Sequence, residues 1–143
     1  MRDEPHVGVL FFVAHRAMEQ RIFDAVRASG FGITTAQGRL CARLRPEGDR
    51  LTDLAAMAQV TKQAAGQLVD QLERDGYVER VPDPTDARAR LVQIAPRGEQ
   101  VVAVARRVEA EVEAEWTAHL GEEATTQLRA ALERLREITD PYR

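Results

Sequence analysis

Residues 51–98 read LTDLAAMAQVTKQAAGQLVDQLERDGYVERVPDPTDARARLVQIAPRG, and this stretch decides the fold. Thr52 is the expected N-cap of a short helix over 53–58, with Asp53 well placed at its positive end. Leu54 and Ala55 face inward, and the small Ala55 allows a second helix to cross closely. Gln59-Val60 forms the turn, with Val60 expected to be buried. Glycine would suit position 59 better, because a left-handed backbone there costs a residue with a side chain about 1 kcal/mol. Thr61 caps the next helix, 62–75, whose Ala65, Leu68, Val69 and Leu72 recur at helical spacing, and Gly76 stops it. Positions 77–81 alternate like a strand. Pro82-Asp83-Pro84 demands a turn, and 90–95 alternates again, which completes a hairpin.

A short helix, a tight turn, a second helix and a hairpin build a helix able to enter a DNA major groove with a wing beside it. Thr61, Lys62, Gln63, Gly66, Gln67, Gln71 and Arg74 lie outside the apolar face of the second helix. Gln63 and Gln67, one turn apart, suit base edges. Lys62 and the Thr61 hydroxyl suit phosphates, which position without specifying. Gly66 lets the backbone approach DNA, unless it is only a packing glycine. Arg88 and Arg90, two apart on an extended strand, point to one side and suit a narrow minor groove. The bland alternative is a solvated charge cluster. Asp86 either pairs with Arg88 and orients the wing or serves the turn. A winged-helix module for protein–protein contact would keep the fold and dispense with Lys62, Arg88 and Arg90; salt dependence of DNA binding separates the two readings.

Working outward, 5–29 reads as a long helix with apolar residues on more than one side. Thr34 or Thr35 caps a helix over 36–45, and 46–50 is a polar turn. Pro96 opens a helix to about 119, Gly121 interrupts it, and 122–138 is the last helix, with Leu128, Ala131, Leu132, Leu135 and Ile138 inward. The expected fold is mainly α with a small β-hairpin wing: one chain, 1–143, with a winged helix-turn-helix lobe over 34–98 and a helical dimerisation region from 5–29 plus 96–143. Helices of roughly 24 residues reach about 36 Å, so a second copy is the economical cover for their apolar faces.

With 143 residues, 44% apolar and 30% charged, the chain lies in the soluble globular range. It has no apolar run of membrane length, no signal-peptide pattern and one cysteine, Cys41. The net charge of −3 divides as +1 over 1–49, 0 over 50–97 and −4 over 98–143, so the acidity sits away from the DNA-reading stretch. Lys62 is the only lysine, against 19 arginines. No phosphate loop, nucleophile motif or forced acid–base pair argues for an enzyme, and no cofactor is expected. His6, His15 and His119 are too scattered for a metal site, and Glu109, Glu111, Glu113 and Glu115 spread around their helix. His15, Arg16 and Trp116 are the candidates for lining a ligand pocket. Cys41 would support a redox-responsive regulator, though no second cysteine exists to resolve a sulfenic acid.

The residues at 51–55, 61–65, 68–73, 76–80, 86–92 and 96–98 resemble the MarR-type (multiple-antibiotic-resistance regulator) family, with Asp86-Ala87-Arg88 as the most specific element. The resemblance implies a homodimer of winged helix-turn-helix lobes on a pseudo-palindromic operator in double-stranded DNA, usually as a repressor in the bacterial cytosol. It also implies a small, often aromatic effector bound between the dimer helices and the lobe. By the resemblance, Arg88 enters the minor groove, and residues 62, 63, 66 and 67 face the major groove. The departures from the family pattern are Gly38, where a large apolar residue is common, Gln59, Ala87, Gly66 and Gln67.

Overall fold

A computed structural model describes residues 4–142. Among them, six helices and one antiparallel hairpin follow in the order α1 (Val7–Ala28), α2 (Thr35–Cys41), α3 (Leu51–Ala58), α4 (Lys62–Arg74), β1 (Val78–Asp83), β2 (Asp86–Ile94), α5 (Pro96–Leu120) and α6 (Glu122–Thr139). This is the mainly helical, hairpin-winged fold expected. The chain forms two compact units, one of Met1–Ile22 with Arg106–Arg143 and one of Phe23–Ala105.

In the Phe23–Ala105 unit, α2, α3 and α4 pack on one another, β1 lies on α4 and β2 on α3. Leu40, Leu54, Val69, Leu72, Val78 and Val92 are fully buried. Each such side chain contributes about 1.5–3 kcal/mol by leaving water. Thr34 caps α2 in a complete capping box with Gln37. Gly38 is explained by Phe23: a Cβ at 38 would lie 2.6 Å from the Phe23 ring, so the aromatic fills the space a larger residue would take. Gly98 is required by close approach, since a Cβ there would stand 2.1 Å from the Tyr77 carbonyl oxygen. Around this junction Arg97 donates to the Asp75 carbonyl at 2.7 Å and stacks over the Tyr77 ring at 4.6 Å.

Several expectations are corrected here. Thr52 is not the cap of α3: the helix starts two residues earlier than expected, at Leu51, and Arg50 holds the cap position without a side-chain cap bond. Val60 is exposed rather than buried, at 39%. Gln59 does turn with a left-handed backbone, φ 56°. Pro82 does not end β1; it pairs with Arg90, and the turn is Pro84-Thr85. β1 is an edge strand of this two-stranded ribbon, and an edge strand accommodates proline with its nitrogen on the unpaired side. In the 46–50 turn, Asp49 alone forms an isolated bridge to Val92 of β2, through bonds of 3.1 and 2.8 Å.

In the other unit, Val108 and Val112 of α5 are buried. Arg21 pairs with Glu115, and Arg129 with Glu113 at 2.9 Å. The Arg21 hydrogen bond holds the Glu115 carboxyl below its ordinary range. The inward reading of α6 does not hold within one chain: α6 buries no residue, and Leu128, Leu132, Leu135 and Ile138 are exposed. So are Val7, Val9, Leu10, Phe11, Phe12 and Val13 of α1. Among the described residues, no helix is long and apolar enough to cross a membrane.

Candidate nucleic-acid interface

Thr61 sets the start of α4. Its backbone is extended (φ −66°, ψ 153°), and its hydroxyl oxygen accepts the Ala64 N–H at 3.1 Å. With Ala65, Val69 and Leu72 turned into the core, Thr61, Lys62, Gln63 and Gln67 are exposed together at the beginning of the helix and along its outer side. Gly66 is half-buried, and a Cβ there would meet only Leu51 Cδ2 at 3.7 Å, an ordinary contact. The protein's own packing therefore does not require glycine at this position.

The wing is braced at both ends. At its tip, Asp83 accepts the Thr85 N–H at 2.8 Å and the Thr85 hydroxyl at 2.7 Å. The Arg50 guanidinium donates to the same carboxylate at 2.9 and 2.8 Å and stands 3.7 Å from Asp86. The Thr85 bonds, then Arg50, hold the Asp83 carboxyl below the usual carboxylate range. At its base, Arg80 bridges Asp70 and Glu73 of α4, each at 2.8 Å. Asp86 does not pair with the Arg88 guanidinium; it accepts the Arg88 backbone N–H at 3.0 Å. The carboxylate thus fixes the strand that carries Arg88, whose guanidinium has no partner among the described residues. Arg88 and Arg90 are both exposed on β2.

The bracing residues Arg50, Asp83 and Arg80 were not singled out in the sequence. Their partners are up to 33 residues away, beyond any local periodicity. Helical spacing marks Gln71 of α4 only as lying outside the apolar face; its Oε1 accepts from Nε2 of the buried Gln37 on α2 at 3.1 Å.

The ligand-pocket candidates are less organised. His15 and Arg16 are exposed on α1, His15 standing 3.5 Å from Glu19, and Trp116 is half-buried on α5. No hydrogen bond or ion pair joins the three among the described residues. Burial pushes the Cys41 thiol up to about 11, so at neutral pH it carries almost no thiolate, the form that oxidants attack.

Residues 31–89 match the MarR family. The chain is 39% identical over 74 residues to the transcriptional activatory protein BadR of Rhodopseudomonas palustris, an overlap of 49% of this chain and 42% of BadR. It spans about two-fifths to three-fifths of the length of the curated relatives it matches. Transcriptional regulator Tm0710 of Thermotoga maritima superposes with a TM-score of 0.65 at 26% identity, covering 92% of both chains. MepR of S. aureus, solved as a mutant bound to an oligodeoxyribonucleotide, superposes with a TM-score of 0.60 at 24% identity, covering 94% of this chain and 98% of MepR. The MarR family model thus matches the winged-helix segment, and the architecture of the chain is shared with Tm0710 over more than nine-tenths of its length.

Proposed function

We propose that this protein regulates transcription by binding a pseudo-palindromic operator as a homodimer, the first half of α4 in the major groove and the wing in the adjacent minor groove. One observation carries the reading: how the unit spends its cations. Arg50, Arg80 and Arg97 are committed to carboxylates, a carbonyl and a ring. The side chains of Lys62, Arg88 and Arg90 make no ion pair or hydrogen bond among the described residues and stand exposed. Uncommitted cations beside uncommitted Gln63 and Gln67 fit an anionic partner with readable edges. A winged-helix module for protein contact gives no reason to reserve them. The oligonucleotide complex of MepR supports the same reading.

The exposed apolar faces of α1 and α6 support pairing of two copies, and pairing places two wings on one operator. A repressor released by a small effector is the mode we propose, with His15, Arg16 and Trp116 as the residues to vary first in effector screens. The test is operator affinity against salt. DNA recovered by binding selection should bind with a steep salt dependence, and Arg88→Ala should weaken it by about 1–3 kcal/mol. Binding that is absent at low salt sinks the reading, and unchanged affinity in Arg88→Ala removes the wing from it.

A further inference from the structure

Gln37 is 5% exposed, and both ends of its amide are spoken for. Its Oε1 accepts the Thr34 backbone N–H at 3.0 Å. A backbone N–H can only donate, so that end of the amide must be oxygen and the other end must be the NH2 group. The NH2 group meets the Gln71 side chain at 3.1 Å, and by the same logic the Gln71 atom it meets must be an acceptor, Oε1. Chemistry alone thus fixes both amide orientations. The result reaches the surface: Gln71 is exposed, its oxygen is turned back toward α2, and its NH2 group is left as the outward end, with no acceptor among the described residues.

The position on α4 decides what such a group can meet. Successive four-residue steps advance about 40° around a helix, so Gln63, Gln67 and Gln71 climb from the outer side of α4 toward the flank facing α2. A helix lying in a groove presents its outer side to base edges and its flank to the groove wall, which is the phosphate strand. Reading adenine with a side-chain amide takes a donor and an acceptor together. Gln71 has its acceptor turned inward and offers only donors, while a phosphate oxygen offers only acceptors.

We infer that Gln71 binds a backbone phosphate of the operator through its Nε2, and that Gln37 is the positioning residue that keeps this amide donor-outward. The inference rests on the DNA-binding reading above and adds to it a neutral contact that anchors register without reading sequence.

The experiment measures affinity for the selected operator with the wild type, Q71A, Q37E and the double variant Q37E/Q71A. Q71A should bind about tenfold more weakly, with the same base preference and the same salt slope, since a neutral donor displaces no counterion. Glutamate is itself a capping-box residue, so Q37E keeps the Thr34 bond. It has no donor for Gln71 Oε1, so the Gln71 amide turns round and presents oxygen to the phosphate. Q37E should therefore also weaken binding, and the double variant should bind no worse than Q71A alone. Full affinity in Q71A, or a changed base preference, overturns the inference. So does a Q37E loss that persists undiminished in the Q71A background, because the introduced carboxylate would then act by its charge alone. Should Q37E fail to fold, operators carrying one methylphosphonate at a time give the answer through Q71A. One neutralised phosphate should cost the wild type affinity and cost Q71A nothing further, and a penalty equal in both proteins at every phosphate counts against the contact. Failure of the DNA reading itself is seen separately, as a wild type with no salt-dependent binding.

Discussion

Gly66 sets stability against binding. Glycine inside a helix costs about 1 kcal/mol relative to alanine, and only Leu51 Cδ2, at 3.7 Å, approaches the space a Cβ would fill. Gly66→Ala should therefore raise the thermal midpoint, by about 1 kcal/mol in stability, while weakening operator binding. A variant that gains stability and binds DNA as before would show that this surface does not approach DNA. Single residues were legible in the sequence where the requirement is local. Thr61 as cap, Gly76 as stop and the left-handed backbone at Gln59 each depend on a neighbour or two. Thr52 instead lies inside α3, with Arg50 at the cap position; the partner of Arg50, Asp83, is 33 residues away, and nothing beside Arg50 in the sequence records it.

Among the elements, the hairpin depends most on charge. The Asp83 carboxyl titrates below its ordinary value because Thr85 and Arg50 bind its ionised form. A group depressed by folding lends stability that is complete above its unfolded pKa, about 3.9. That contribution fades as pH falls through the lower folded value. The Thr85 amide resonance should titrate with a midpoint below about 3.9, and wing order should persist down to about pH 4 and decline beneath it. A midpoint at or above that value refutes the bracing. The hairpin was readable from alternation and Asp-Pro turn signals, but the bridge beside it was not: one bridged pair, Asp49 with Val92, leaves no period to detect. The exposure of the proposed contact residues on α4 and β2 was readable, because it follows helix and strand period. The braces behind it join residues that only the folded unit brings together.

At the scale of the whole molecule, a single chain leaves much apolar surface uncovered. Leu128, Leu132, Leu135 and Ile138 repeat along α6 at helical spacing, and all are exposed. If a second copy covers them, Leu132→Glu with Leu135→Glu should give a monomer by sedimentation and weaken operator binding, since each half-site must then be bound independently. An unchanged mass would locate the interface elsewhere. The length and amphipathic faces of the outer helices were legible in the sequence; what covers them was not, because apolar period reports that a face is buried and not against which surface. One compositional fact acquires a use once α4 is in place. Lys62, the only lysine, stands exposed at the first position of α4. The α-amino group aside, an amine-selective acylating reagent therefore has one target, at the proposed contact surface. Bound operator should shield Lys62 from acylation while unrelated DNA at high salt should not, and the intact-mass spectrum reads the difference without engineering the protein. The native chain thus carries its own occupancy reporter, one that an arginine-rich composition leaves without a competing lysine.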